Sequence, residues 1–171
     1  MSRPYRVVFV CLGNICRSPM AEYEMRRLLA DAGLADRVTV ASAGTGDYHV
    51  GEGADPRTVA TLDDAGLDAV GHRAAQFTRS DFADADLVVA LDANNAANLR
   101  RIAPDADAAE KVVLLRSFEG GTRDSGRADD LDVPDPYFDG ADGFPLVLEM
   151  VQRACRGLLD ELRRTVPDAA R

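Results

Sequence analysis

The sequence predicts a single-domain α/β fold in which an open, mostly parallel sheet of four strands is flanked by helices. Four short apolar stretches, rich in β-branched residues, alternate along the chain with segments of helical periodicity. The chain has 171 residues, of which 46% are hydrophobic, and this suits one domain whose core needs no disulfides. We find no internal repeat, so we expect a single domain over residues 1–171.

The four apolar stretches predict the strands. The first is nearly continuous, which is typical of a strand buried on both faces. The binding crevice of an open parallel sheet lies at the carboxyl ends of its strands, so the loop after the first strand is placed to form a site. The predicted strands are Tyr5–Val10, Arg37–Ala43, Asp86–Leu91 and Lys111–Leu115.

Helices are predicted between and after these strands. Gly33 and Gly66 are expected to end the first two, because glycine readily adopts the left-handed conformation that follows a helix. Thr78 or Ser80 is expected to cap a further short helix. The main predicted helices are Pro19–Ala32, with Met20, Tyr23, Leu28 and Leu29 facing inward; the segment from Asp55-Pro56 to Ala65; Ala93–Ile102; and Ala141–Thr165, with Leu146, Val147, Met150, Val151, Ala154, Leu158 and Leu162 facing inward.

A loop of the pattern Cys11-x5-Arg17 joins the first strand to the first helix. Ser18 is predicted to cap this helix and Pro19 to occupy its first position. Such a junction points several backbone N–H groups and the positive end of the helix dipole at one small volume. We therefore predict an anion site in this loop.

The residue types of the loop suit a phosphoryl group. The planar guanidinium of Arg17 can bind two phosphoryl oxygens, and the same positive field favours the thiolate of Cys11, which would be placed for attack on phosphorus. Gly13 and Asn14 allow a tight turn, Asn14 through the left-handed conformation. The hydroxyl of Ser18 can hydrogen-bond the Cys11 sulfur and assist its later departure. The alternative for an isolated cysteine at this place is a small buried residue at a strand end.

Two motifs of the chain resemble those of the low-molecular-weight protein tyrosine phosphatases. The family's signature loop is similar to Cys11-Leu12-Gly13-Asn14-Ile15-Cys16-Arg17-Ser18-Pro19, and its general-acid loop is similar to Val133-Pro134-Asp135-Pro136-Tyr137. These motifs lie in the family's order near the two ends of the chain, so the resemblance covers essentially all of it. It implies hydrolysis of phosphotyrosine in proteins through a cysteinyl-phosphate intermediate, without a metal or another cofactor.

The resemblance also implies a role for each site residue. Cys11 is the expected nucleophile, Arg17 and the loop backbone hold the phosphoryl oxygens, and Asp135 protonates the leaving group and then activates water. Aromatic walls are expected to admit phosphotyrosine and to keep phosphoserine from reaching the thiolate. The expected substrate-binding residues are Leu12, Gly13, Asn14, Ile15, Cys16, Ser18, Tyr48, Tyr137 and Phe138.

Three of these residues depart from the family's usual pattern. Tyr48 stands where several relatives have tryptophan, Leu12 replaces a threonine that is frequent in bacterial relatives, and Phe138 stands where many members have a second tyrosine. We expect these departures to change substrate preference and to leave the chemistry intact.

Further residues match family positions outside the two motifs. Asp92, Asn95 and Ser42 are expected to support the loop from behind. His72 is expected to be structural, and His49 is expected to lie on the surface.

Two interpretations of Cys16 stay open. It is either a packed thiol or, as the resemblance implies, a redox partner that forms a disulfide with Cys11 under oxidation. Cys155 is expected in the core. A metal site at Cys11 and Cys16 has little support, because zinc sites usually offer a second close pair of ligands.

Composition and charge limit the partners. The net charge of −9 argues against nucleic acid. We find no apolar stretch of about 18 residues and no secretory leader, so a membrane partner is not expected. An odd number of cysteines suggests a reducing cytoplasm. The expected partners are phosphotyrosine-containing proteins and a cognate tyrosine kinase.

Three alternative functions remain. Arsenate reductases of this fold need further cysteines in mid-chain, and none lies between Cys16 and Cys155. Protein arginine phosphatases have a threonine in place of Ile15, whose larger side chain should crowd out a phosphoguanidino group. A non-catalytic phosphotyrosine-binding module predicts a lost nucleophile or acid, whereas Cys11 and Asp135 are both present.

Overall fold

The structure, a computed structural model, describes residues 3–120, 131–138 and 140–166. Its strands form one fully parallel sheet in the order β2-β1-β3-β4. This confirms the predicted α/β class and the parallel sheet. The strands are β1 (Tyr5–Cys11), β2 (Val38–Gly44), β3 (Leu87–Ala90) and β4 (Val112–Leu114).

Five α-helices and three short 3₁₀-helices connect or follow these strands in the described part of the chain. The 3₁₀-helix capped by Thr78 is the short helix that the sequence predicts, whereas α4 is not predicted. The α-helices are α1 (Arg17–Asp31), α2 (Pro56–Asp64), α3 (Ala93–Ile102), α4 (Ala106–Glu110) and α5 (Gly143–Thr165), and the 3₁₀-helices are Arg79–Ala83, Leu115–Phe118 and Pro136–Phe138.

The sheet separates two hydrophobic cores. Alternate residues of a strand point to opposite faces, so Val7 and Phe9 pack with α1, α2 and α5, while Val8 and Val10 pack with α3, α4 and the Arg79–Ala83 helix. Because β1 is central and covered on both sides, its end is rigidly placed for a site. No helix of the described residues is long and apolar enough to cross a membrane.

Helix ends and helix faces follow the predictions in part. Gly33 and Gly66 adopt positive φ angles of 73° and 82° just beyond α1 and α2, as expected. Leu146 is wrong as an inward-facing residue, because its side chain is 61% exposed. Tyr23 and Leu28 are only partly buried. The inward face of α5 instead begins with Phe144, Val147 and Leu148.

The predicted cap of α1 is also wrong. The helix begins at Arg17 with Cys16 as its N-cap, and no side chain caps it. Ser18 lies one residue inside the helix, fully buried, and its hydroxyl contacts the Cys11 sulfur. The local capping preference gives way because this hydroxyl faces the site.

Candidate active site

Cys11 ends β1 and Arg17 begins α1, so the loop between them lies at the carboxyl edge of the sheet. Cys11 Sγ lies 3.0 Å from Ser18 Oγ and 3.3 Å from the backbone nitrogen of Asn14. The Asn14 N–H donates to the sulfur, and the Ser18 hydroxyl can do so as well. The expected contact between Ser18 and Cys11 is therefore present.

Asn14 holds the loop in its curved shape. Its φ of 59° is left-handed, as predicted. The side-chain amide donates to Ser18 Oγ at 2.8 Å and to Ser42 Oγ at 2.9 Å, while its carbonyl oxygen accepts from the Ala75 N–H at 2.9 Å. The backbone carbonyl of Asn14 lies 2.7 Å from His72 Nε2. Because buried polar groups need partners, this set of bonds fixes one conformation of the loop. Ser42 and His72 support the loop through their hydrogen bonds with Asn14.

The loop after β2 is bound to the same loop through its backbone. Thr45 N–H donates to the Cys11 carbonyl and Gly46 N–H to the Leu12 carbonyl, at 2.8 and 2.9 Å. Gly44 permits this close approach, since a Cβ there would lie 2.6 Å from the Leu12 carbonyl oxygen. Sequence reasoning missed Gly44, because the clash appears only when two distant loops are brought together.

Arg17 is buried and held by two acceptors. Its Nη1 donates to Asp92 Oδ2 at 2.6 Å and to the Val133 carbonyl at 2.9 Å. Burial alone would lower the pKa of Arg17, but the Cys11 sulfur, Asp92 and Asp135 outweigh burial and raise this pKa. The guanidinium therefore stays charged beside Cys11.

Asp135 faces Arg17 from the second motif. Its Oδ2 lies 3.6 Å from Arg17 Nη2, and its Oδ1 accepts from the Tyr137 N–H at 3.1 Å. The residues just before Asp135 are bound to the start of α3 and to the residue that follows β3. Val133 N–H donates to the Leu91 carbonyl, and Ala93 N–H donates to Asp132 Oδ1. Residues 121–130 of the long connection predicted over 116–133 lie outside the described residues.

A cavity of about 130 Å³ opens over the Cys11 loop. Tyr48 and Phe138 stand at its mouth with side chains 73% and 85% exposed, and Tyr137 is partly covered. Asp135 and Arg17 lie on its wall. The lining residues are Cys11, Leu12, Gly13, Ile15, Cys16, Arg17, Tyr48, His49, Asp135, Tyr137 and Phe138.

Comparison with known proteins agrees with this arrangement. The family model described as "Low molecular weight phosphotyrosine protein phosphatase" matches residues 6–168. The chain belongs to this family. A low molecular weight protein-tyrosine-phosphatase of Streptomyces coelicolor is 54% identical over 166 residues, which cover 97% of this chain and 98% of the relative.

Two further proteins are similar to this chain over nearly their whole length. Low molecular weight protein-tyrosine phosphatase A of Mycobacterium tuberculosis is 46% identical over 160 residues, or 94% of this chain and 93% of that protein. The crystal structure of YfkJ from Bacillus subtilis has a TM-score of 0.85 at 35% identity and covers 96% of this chain and 98% of its own. The resemblance to low-molecular-weight phosphatases that the two motifs indicate is thus confirmed.

His49 is a pocket residue of this phosphatase that sequence reasoning placed on the surface. Its ring lines the cavity, and a Cβ on Gly13 would lie 3.0 Å from its Cδ2. Its Nδ1 lies 2.5 Å from Glu52 Oε2. A histidine in a polar loop carries no local pattern that indicates such a place.

Tyr48 rests on the backbone of Gly46. A Cβ at Gly46 would lie 2.6 Å from the Tyr48 ring. The missing Cβ of Gly46 therefore leaves room for the ring to pack against the backbone, although the tyrosine itself is largely exposed.

The remaining two cysteines are buried. Burial raises the pKa of Cys16 to about 12, and it also raises the pKa of Cys155, which packs in the core as expected. All three cysteines of the sequence are free thiols. Among residues 3–120, 131–138 and 140–166, no three histidine, cysteine or acidic side chains are grouped as a metal site requires.

Asp92 and Asn95 lie at the start of α3. Asp92 caps that helix, accepting from the Asn95 N–H at 2.7 Å, while its other oxygen binds Arg17. Asn95 is buried, and its Oδ1 lacks a hydrogen-bond partner among the described residues. Asp92 thus contacts Arg17 directly, whereas Asn95 binds Asp92 through its backbone N–H.

Proposed function

We propose that this protein hydrolyses phosphotyrosine in proteins through a cysteinyl-phosphate intermediate. The observation that carries the proposal is the placement of Cys11 Sγ in a cavity whose wall also contains Arg17 and Asp135. A nucleophile, a bound cation and a carboxyl group within one small space are the parts that transfer of a phosphoryl group needs.

The first step is attack of the Cys11 thiolate on phosphorus. The S–P bond forms as the P–O bond to the tyrosine oxygen breaks, while Arg17 and the N–H groups of the loop bind the equatorial oxygens. Asp135 gives its proton to the departing phenolate oxygen. Phenol leaves, and the phosphoryl group remains on sulfur.

The second step is hydrolysis of the thiophosphate. Asp135, now a carboxylate, takes a proton from water as the water oxygen attacks phosphorus. The S–P bond breaks, its electrons return to Cys11, and inorganic phosphate is released. The Ser18 hydroxyl, 3.0 Å from the sulfur, stabilises the departing thiolate.

The shape of the cavity supports a preference for aryl phosphates. Tyr48, Tyr137 and Phe138 raise its rim above the Cys11 loop. A phosphotyrosine ring can pass between these side chains and reach the sulfur, whereas the short phosphoserine side chain would leave its phosphate near the rim.

The wider setting of the enzyme is part of the proposal. We expect one phosphatase domain over residues 1–171, phosphotyrosine proteins as substrates, a cognate tyrosine kinase as partner, and a place in the cytoplasm. The net charge of −9 argues against nucleic acid as a partner. Ile15 on the cavity wall argues against phosphoarginine as substrate.

The test is turnover of one peptide carrying phosphotyrosine, phosphoserine or phosphoarginine, with a chelator present. We expect release of phosphate from the phosphotyrosine peptide alone. Cys11→Ser should abolish turnover and keep binding of phosphate or vanadate, because the donors of the loop remain. Preferential hydrolysis of phosphoarginine, or turnover by Cys11→Ser, would overturn the proposal.

A further inference from the structure

Arg57 lies outside the cavity, in the first turn of α2, yet it contacts the segment that carries Asp135. Its guanidinium carbon lies 5.5 Å from the centre of the Tyr137 ring and 4.5 Å from the centre of the Phe144 ring. A guanidinium within about 6 Å of an aromatic ring centre is attracted to it. Arg57 therefore joins the Asp135 segment to Phe144, a fully buried residue in the first turn of α5.

The other side of the same guanidinium is held by Asp55. Arg57 Nε donates to Asp55 Oδ1 at 3.0 Å, and Nη2 donates to Oδ2 at 2.9 Å. Two parallel bonds of this kind fix the plane of the guanidinium as well as its position. The hydrogen bonds that Arg57 donates to Asp55 also raise the pKa of Arg57, so the guanidinium stays charged.

Asp55 is in turn bound to the Cys11 loop. Its backbone N–H donates to the Ile15 carbonyl at 2.9 Å, and its carboxylate caps α2 through the Arg57 N–H at 2.8 Å. A continuous series of contacts thus runs from Ile15 through Asp55 and Arg57 to the ring of Tyr137.

We infer that Arg57 is a positioning residue that sets the distance between the Cys11 loop and the proposed proton donor, Asp135. The inference rests on the proposed function. Asp135 precedes Tyr137 by two residues and accepts its N–H, so a shift of the Tyr137 ring moves the carboxyl group. Arg57 touches neither the sulfur nor the space above it, and its effect passes through Tyr137.

If Arg57 has this role, its loss should slow phosphoryl transfer from poor leaving groups and spare transfer from good ones. Displacing a catalytic group by about 1 Å can cost on the order of 10²-fold in rate, but only where that group is needed. Protonation matters for a poor leaving group such as the phenolate of tyrosine, and it matters little for an activated nitrophenolate. Loss of Arg57 should therefore steepen the dependence of rate on leaving-group pKa.

The test compares Arg57→Met with Arg27→Met. Arg27 is a matched control, because it also binds a buried carboxylate, Glu24, through two hydrogen bonds and is similarly exposed, at 39% against 33% for Arg57. No aromatic ring stacks on Arg27 in the described part of the chain. Single-turnover phosphoryl transfer is measured for a series of aryl phosphates, together with phosphate affinity.

For Arg57→Met we expect transfer from the poorest leaving groups to slow by about ten-fold, and transfer from the most activated one by less than about two-fold. Phosphate affinity should not change, and the basic limb of the pH profile should flatten. Arg27→Met should keep the wild-type slope. If Arg57→Met does not fold, Arg57→Lys replaces it, with a smaller change of slope because the cation remains and the planar fork is lost.

Two results would overturn the inference. One is a wild-type slope in the Arg57 variants, and the other is an equal loss with all leaving groups, which would make Arg57 a residue of general stability. Failure of the proposed function is distinct, because it would show as preferential hydrolysis of phosphoarginine by the wild-type enzyme or as turnover by Cys11→Ser, and neither result depends on the Arg57 variants.

Discussion

Arg17 and Asp92 form an ion pair between the starts of two helices, with Nη1 and Oδ2 2.6 Å apart. Arg17 is the first residue of α1, and Asp92 is the N-cap of α3. The two helices lie on opposite faces of the sheet. The pair therefore holds the Arg17 guanidinium from the opposite side of the sheet through its Nη1 atom.

Replacing Asp92 by serine should weaken both phosphate binding and turnover. Serine still caps α3, but it is too short to hold Arg17, and we expect kcat/KM to fall by about ten-fold or more. Steady-state kinetics and the inhibition constant of phosphate are the measurements. Asp105→Ser is the matched control, since Asp105 caps α4 through Ala108 N–H and lies away from the site. Equal kinetics in the two variants would show that Asp92 acts only as a cap.

Replacing Asp135 by asparagine should slow the first step unevenly. General acids typically contribute about 10²–10⁴-fold, and we expect a loss in that range with the tyrosine phenolate as leaving group. The loss should be much smaller with an activated nitrophenolate, which departs without a proton. Single-turnover rates over graded leaving groups are the measurement.

The logarithm of the rate is plotted against the pKa of the leaving group for wild type and for Asp135→Asn. A different slope in the variant would support Asp135 as the proton donor, and equal slopes would exclude it. The search would then move to neighbouring carboxylates. Asp132 already accepts a hydrogen bond from Ala93 N–H, and Asp129 and Asp130 lie outside the described residues.

Oxidation distinguishes the two interpretations of Cys16. Peroxide should convert the Cys11 thiolate to a sulfenic acid, and attack by the Cys16 thiolate would then form a disulfide and release hydroxide. Because the pKa of Cys16 is raised to about 12, only about 10⁻⁵ of this thiol is ionised at pH 7. We expect recovery by dithiothreitol to depend on Cys16 and to increase from pH 7 to pH 9.

The measurement is activity regained after a timed exposure to peroxide. Cys16→Ser should begin with normal activity and regain less of it, whereas Cys155→Ala should behave as the wild type does. Equal recovery in Cys16→Ser and wild type would identify Cys16 as a packing residue.

The ion pair of Asp55 and Arg57 should make stability depend on acid pH. Hydrogen bonds from Arg57 lower the pKa of Asp55 in the folded state, outweighing its burial. A lowered carboxyl pKa stabilises the fold above the unfolded value of about 3.9, and this contribution is lost as the pH falls through the folded value. Asp55→Asn keeps the cap of α2 and lacks this contribution.

The free energy of unfolding in urea, measured from pH 6 to pH 2, is the test. The free energy of unfolding should be larger for wild type than for Asp55→Asn above about pH 4, and this difference should shrink at lower pH. A constant difference over this range would exclude the ion pair as its source.

The local sequence pattern is sufficient to predict the strands, the loop between Cys11 and Arg17 and the left-handed turn at Asn14. Each of these depends on neighbours within a few residues. The places of His49, Gly44 and Arg57 depend on segments far apart in sequence, and no periodicity encodes them. Leu146 was misplaced because apolar spacing gives the period of a helix, while the contact of Phe144 with Arg57 and the core sets which side faces inward.

Ser18 illustrates a different limit of sequence reasoning. A serine followed by proline is a good helix start, but here the serine hydroxyl contacts the Cys11 sulfur and the helix begins at Arg17, two residues before the predicted start at Pro19. The local preference failed at the residue where the proposed chemistry requires the side chain.

The side chains of Tyr48 and Phe138 are largely exposed, whereas the side chains that hold the Cys11 loop are those of Asn14, Ser42 and His72. Gly46, on which Tyr48 rests, binds the Leu12 carbonyl of this loop through its backbone N–H, and a change of the Tyr48 side chain leaves that bond in place. Natural variation or laboratory evolution can therefore alter Tyr48 and Phe138 without disturbing the attacking sulfur. Related enzymes would diverge first in which phosphoproteins they accept and only later in reaction type. A library confined to these two positions should yield new peptide preferences at nearly constant rates of thiophosphate hydrolysis.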